Sequence, residues 1–152
     1  MQKQLQGALR SFIKMNEYLI DELNVGKEEF FRVKITEEKV EQFAMITGDY
    51  NPLHTNDFYA MEKGFSRKVV YGMLTASFFS TLAGMYLPGK YSLIQGVELK
   101  LVKPVYISDE LIVKGTVEEI HQSVQTIDVR VEIFNQIDEK VVKGKMRIGF
   151  LC

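Results

Sequence analysis

At 152 residues, with 46% hydrophobic and 26% charged side chains, the chain has the length of one domain with a real core and the composition of an ordinary soluble globular protein. A formal net charge of −1 excludes the basic excess that marks a nucleic-acid binder. The single cysteine, Cys152, excludes an internal disulfide, and no Cys/His cluster offers a zinc site. With no apolar run long enough for a signal or a membrane span, a cytoplasmic setting without membrane, metal or cofactor is expected.

Residues 2–20 place Leu5, Leu9, Phe12, Ile13 and Leu19 near a helical period, with Lys3, Arg10 and Lys14 elsewhere on the wheel, and predict an amphipathic helix. Such a helix either lies on a membrane surface or packs on a core or partner subunit, and packing is the commoner fate. Residues 1–21 are therefore set apart as an N-terminal helical extension of a domain spanning 22–152. Asn24–Lys27 reads as a turn and Phe30–Ile35 as a strand. Thr36 caps a helix whose buried face is Val40, Phe43, Ala44 and, less regularly, Ile46; Lys39 leaves the capping box incomplete. Thr55 or Asn56 caps a short helix running through Ala60 and Met61.

Met73–Leu87 is apolar nearly all round and carries no charge, which predicts a helix buried on every side. Ala76, Ser80, Ala83 and Gly84 give it one face of small residues, and Pro88-Gly89 ends it. From Tyr91 onward the period switches to two. Val97, Leu99 and Leu101, then Leu111–Val117, Ile127–Ile133 and Val142–Phe150 alternate apolar with polar residues, as antiparallel strands with one wet face do. A buried helix and a one-sided antiparallel sheet have a joint solution, in which the sheet curls round the helix.

The stretch Thr47-Gly48-Asp49-Tyr50-Asn51-Pro52-Leu53-His54 carries the chemistry. Asn51 precedes a proline and Pro52 lacks an N–H, so the backbone between Asp49 and His54 is expected to turn rather than continue a helix. A carboxylate and one of only two histidines then converge on one small space, as a general acid–base pair requires. Turn-forming preference alone accounts for Gly48, Asp49, Asn51 and Pro52, but gives no reason for His54.

Phe43-x-x-Ile46-Thr47-Gly48-Asp49-x-Asn51-Pro52-Leu53-His54-x5-Ala60 resembles the signature of the MaoC-like, (R)-specific enoyl-CoA hydratases. Gly72-Met73-Leu74-Thr75-Ala76-Ser77, Leu87-Pro88-Gly89, Lys103-Pro104-Val105 and Asp109-Glu110-Leu111 follow in the same order, so the resemblance spans residues 22 to 150. It implies an α+β hotdog fold, an antiparallel sheet wrapped around a long central helix, and a homodimer with two sheets joined edge to edge. It also implies that Asp49 and His54 hold the catalytic water and that the N–H of Gly72 receives the thioester oxygen. Asn51 would support the turn, with Tyr71, Ser80 and Ala83 facing substrate. The implied substrate is an acyl-CoA or acyl carrier protein thioester. Tyr71 stands where close relatives usually carry His, and Arg67-Lys68 replaces a usual Gly-or-Arg-Pro step. Lys63, Arg67, Lys68 and Lys90 flank the site in sequence and would suit coenzyme A phosphates, though solvated surface is the plainer reading of each. His121 falls in a hairpin turn with no role. A non-catalytic hotdog that binds acyl thioesters or a partner protein is the alternative, with a thioesterase behind it.

Overall fold

The alternating half of the chain, joined by one strand from the front half, forms a five-stranded antiparallel sheet in the computed structural model, which describes residues 13–151. The strands are β1 (Glu28–Lys34), β2 (Ser92–Leu101), β3 (Glu110–His121), β4 (Thr126–Phe134) and β5 (Lys140–Phe150), in the spatial order β1-β3-β4-β5-β2. Val113 lies opposite Ile133, Val129 opposite Met146 and Ile127 opposite Ile148, so the period of two puts the apolar set of three strands on one face. Leu111, Val113, Val117, Ile127, Val129, Val131, Ile133, Val142, Met146 and Ile148 are all at most 1% exposed there.

The helical half supplies α1 (Glu37–Thr47), the single turn α2 (Pro52–Thr55), α3 (Asp57–Glu62) and the central α4 (Gly72–Thr81). Thr36 caps α1 by accepting from the Lys39 amide, and Asn56 caps α3 through the Tyr59 amide. On α1, Val40 and Ala44 are buried as expected, whereas Ile46 is exposed, having drifted off the apolar stripe. Phe79, Leu82 and Ala83 of the central helix join the sheet's inner face in one core.

Three expectations need correction. The central helix ends as an α-helix at Thr81 and continues as a π-helical turn, Leu82–Tyr86, in which the Leu87 amide reaches the Leu82 carbonyl at 2.8 Å. It is not buried on all sides. Leu74, Thr75, Ala76 and Phe79 are buried, but Met73 is 65% exposed and Ser77 and Ser80 are exposed, because the sheet covers only one side of the helix.

The third concerns the N-terminal helix. Of the part that falls within the described residues, 13–20, residues 13–19 form a strap and Ile20 opens a single 3-10 turn, Ile20–Glu22, with no amphipathic helix. The Asn16 amide donates to the Met85 carbonyl, its side-chain Nδ2 to the Tyr86 carbonyl and the Tyr18 amide to the Pro88 carbonyl. Lys90 returns a bond to the Asn16 carbonyl, and Glu17 bridges Gly89. The end of the central helix leaves carbonyls without helical donors, and the strap fills them. The remainder of the expected helix lies outside the described residues. Among the described residues no helix is long and apolar enough to cross a membrane.

Strand β2 differs from its neighbours. It pairs with β5 on one side only, and Leu93, Val97 and Leu101 remain about half exposed along it.

Candidate active site

Gly48 closes α1 in the left-handed conformation, φ 72°, with its amide on the Ala44 carbonyl. Glycine adopts that conformation without the strain a Cβ would add, and the chain leaves the helix there. A ladder of local bonds then builds the next turn. The Asp49 carboxylate accepts the Asn51 amide at 3.0 Å, the Asn51 side chain accepts the Leu53 amide at 3.0 Å, and the Asn51 carbonyl accepts the His54 amide at 3.0 Å. Asn51 is extended, as a residue before proline should be, but Pro52–Thr55 is a helical turn with proline in its first position. His54 thus rides on a short helix where a turn was expected, since proline at that position costs no hydrogen bond.

His54 is held from one side of its ring. Its Nδ1 lies 2.6 Å from the Val69 carbonyl, which can only accept, so Nδ1 carries the proton and Nε2 keeps a free lone pair in the neutral ring. The Val69 amide in turn donates to the Leu53 carbonyl, tying this loop to the turn that carries His54. Tyr71, which precedes α4 and is 2% exposed, braces both partners. Its hydroxyl donates to the Asp49 carbonyl, and its ring lies 4.1 Å from that of His54 at 31° and 5.1 Å from Phe43. Burial and the neighbouring Asp49 charge push the Tyr71 phenol above its ordinary value, so it stays protonated and able to donate.

His54 and Gly72 share a cavity of about 300 Å³, lined also by Phe65, Val69, Thr75 and Leu101. Gly72 opens α4, where the first amides of the helix have no helical acceptor and the dipole favours negative charge. A Cβ at residue 72 would sit 2.3 Å from Leu101 Cδ1, so glycine is what lets that wall approach the helix terminus. A second cavity of about 400 Å³ lies on the other side of His54, against Tyr71, Tyr50 and Lys68.

The other expected residues are less concentrated. Asp49 and Asn51 are exposed on the turn and line neither cavity, Asn51 serving as the cap of α2. Tyr71 is set as a brace, its hydroxyl occupied by Asp49. Ala83 is fully buried against the sheet and Ser80 is exposed, and neither borders the cavities at His54. The four flanking cations already have partners, and only Lys68 borders a cavity at His54. Lys68 pairs with Glu37 at 2.6 Å, Lys90 with Glu17 at 2.8 Å beyond the far end of the helix, Arg67 donates to the Ile107 carbonyl, and Lys63 lies over the Tyr59 ring. The sequence reading missed the Val69 anchor, the Tyr71 hydroxyl and the buried Thr75. Only Thr75 had a signal, its place three residues after Gly72 on the same helix face.

A helix lying in an antiparallel sheet, with an imidazole presented beside the helix N-terminus, is the hotdog arrangement of a thioester-handling site. The chain belongs to the MaoC-like family: the model of the MaoC like domain matches residues 25–137. It is 33% identical over 123 residues to an (R)-specific enoyl-CoA hydratase from Aeromonas caviae, covering 81% of this chain and 92% of that protein. It is 34% identical over 100 residues to a 3-hydroxybutyryl-CoA dehydratase of Methylorubrum extorquens, covering 66% of this chain and 64% of that one. Among solved structures, R-hydratase PhaJ1 from Pseudomonas aeruginosa superposes with a TM-score of 0.83 at 29% identity, covering 90% of this chain and 87% of that chain. The A. caviae (R)-hydratase involved in PHA biosynthesis superposes with a TM-score of 0.80 at 32% identity, covering 84% and 97%.

Proposed function

We propose that this protein is an (R)-specific 2-enoyl-CoA hydratase, adding water across a trans-2-enoyl thioester or removing it in reverse. The observation that carries the reading is His54, protonated on Nδ1 by its Val69 contact and free on Nε2, beside the amide-rich start of α4. The names borne by the relatives above support the same reaction class.

In this reading Asp49 and His54 hold one water between them. His54 Nε2 takes a proton as the water oxygen bonds to C3, and the electrons of the C2–C3 double bond move onto the thioester oxygen. The Gly72 amide receives that oxygen, where a helix terminus best stabilises the developing charge. The same proton, returned to C2 through the Asp49–His54 pair, restores the carbonyl and completes the (R)-3-hydroxyacyl thioester. No metal or cofactor takes part. Tyr71 and Asn51 keep the turn in place; Ser80, exposed on α4, joins the acyl wall where a second subunit closes the site, while Ala83 is already enclosed by its own sheet.

The working unit is a cytosolic homodimer. Support comes from β2, an unpaired edge whose Leu93, Val97 and Leu101 stay about half exposed, and from the open Met73 side of α4. Such an edge invites pairing with another strand. Light scattering should return twice the 17.5 kDa chain mass. Hydration of crotonyl-CoA, followed through loss of the conjugated thioester absorbance and by product chirality, tests the activity. Binding of crotonyl-CoA without turnover would instead make the protein a non-catalytic thioester binder.

A further inference from the structure

Two buried hydroxyls among the described residues have no hydrogen-bond partner in the protein, Thr75 Oγ1 and Thr126 Oγ1. They differ in surroundings. Thr126 opens β4 beside the β3–β4 hairpin and borders neither cavity at His54. Thr75 is 1% exposed and lines the 300 Å³ cavity together with His54 and Gly72.

A helical hydroxyl ordinarily bonds back to a carbonyl three or four residues earlier. This chain does so three times close by: Thr47 donates to the Phe43 carbonyl at 2.9 Å, Thr55 to the Asn51 carbonyl at 3.3 Å and Ser77 to the Leu74 carbonyl at 2.6 Å. Thr75 does not, and the Tyr71 carbonyl it would use already receives the amides of Leu74 and Thr75. A buried hydroxyl left unpaired works against folding, so its position calls for a partner that arrives with a ligand.

We propose that the Thr75 hydroxyl contacts the substrate, donating to the same thioester oxygen that the Gly72 amide receives; this rests on the hydratase reading above. Helical side chains lean toward the N-terminus, and residues three apart share a face, so Thr75 reaches back over Gly72. The glycine adds no side chain between them. As the water oxygen bonds to C3 and electron density moves onto the thioester oxygen, that oxygen turns from carbonyl to enolate, and both donors bind it more strongly. The proton arriving at C2 reverses this. Neither donor is consumed, and no co-reactant beyond water is needed.

Thr75→Val keeps the shape and removes the hydroxyl. With crotonyl-CoA, T75V should lose about 100-fold in kcat, the scale of removing one oxyanion donor, with a smaller change in KM. Its affinity for butyryl-CoA, a saturated thioester that cannot react, should fall several-fold by calorimetry. Its thermal midpoint without ligand should stay level or rise, because the unpaired hydroxyl is gone. Thr75→Ser should recover most of the turnover. Turnover and butyryl-CoA affinity within twofold of wild type would overturn the proposal, as would a midpoint lowered in T75V and restored in T75S, the mark of a structural hydroxyl. If the wild type fails to hydrate crotonyl-CoA, the hydratase reading falls by itself. The butyryl-CoA comparison then still decides the contact, equal affinities rejecting it.

Discussion

The chain's two histidines each lie close to an aspartate in sequence, His54 after Asp49 and His121 before Asp128, and the two regions have been built to opposite ends. Asp128, on the sheet face turned away from the helix, is 1% exposed and faces Arg147 through two bonds of 2.8 and 2.9 Å, with Lys145 at 3.6 Å and His121 Nε2 at 3.3 Å. The Arg147 guanidinium holds the Asp128 carboxyl down to about 2, and His121, at the end of β3 and not in a turn, also stands 3.4 Å from Glu119. Glu119, His121 and Asp128 together are close enough for a cation, but Arg147 already occupies the buried carboxylate. Asp49 is exposed with one backbone partner, and His54 keeps a ring nitrogen free. Nearness of acid and imidazole in sequence therefore leads to two different outcomes. One pair is taken up by a buried ion pair, and the other leaves a histidine nitrogen unused beside a cavity.

Exchanging what each region loses on mutation would break this contrast. Asp49→Asn and His54→Ala should each lower kcat on crotonyl-CoA by roughly two to four orders of magnitude while barely moving the unfolding midpoint. Asp128→Asn should do the reverse, keeping turnover while losing on the order of 2 kcal/mol in urea unfolding at neutral pH. An Asp128→Asn enzyme that was stable but inactive would refute it.

Acid sharpens the same point. Asp128 has a folded value of about 2, below its ordinary 3.8, so its contribution is present above pH 4 and disappears as pH falls through 2. Urea unfolding at stepped pH should show wild type losing its advantage over Asp128→Asn across that interval, by about 2 kcal/mol in all. Next in size, Tyr71→Phe keeps the ring on His54 but frees the Asp49 carbonyl. A neutral hydrogen bond of about 1 kcal/mol implies a loss of roughly fivefold in kcat, with KM little changed. The smallest effect belongs to His121→Ala, whose partly exposed contacts are worth at most about 1 kcal/mol and whose turnover should stay within about twofold of wild type.

Much of the sheet was legible because a period of two has one solution when a single face is buried. The apolar sets starting at Leu111, Ile127 and Val142 follow it as far as the bulges after Val117 and Ile133. β2 carries the same pattern yet leaves Val97 and Leu101 about half exposed, since periodicity says which residues share a face and not whether that face is covered. The amphipathic pattern of residues 13–19 lost to the hydrogen-bonding needs of the helix end at Met85, Tyr86 and Pro88, seventy residues away in sequence. In the candidate site, motif and spacing picked out His54 and Gly72, which share a cavity, and Asp49, which lies exposed on the turn beside it in sequence. The anchor of His54 was not, because it is a main-chain carbonyl and leaves no trace in residue type.

The π turn at Leu82–Tyr86 bears on how this helix tolerates insertions and deletions. A π turn holds one residue more than the α turn it replaces, and such turns arise within α-helices as single-turn bulges. Losing one residue between 82 and 86 would relax the segment to ordinary helical spacing, with Leu87 still able to pair at the end. The same loss between Gly72 and Thr81 would rotate every buried side chain off the sheet. A gap in the central helix, when relatives of different length are aligned, therefore belongs at this turn. It is also where a designer could change the helix's length and leave its Gly72 end in place.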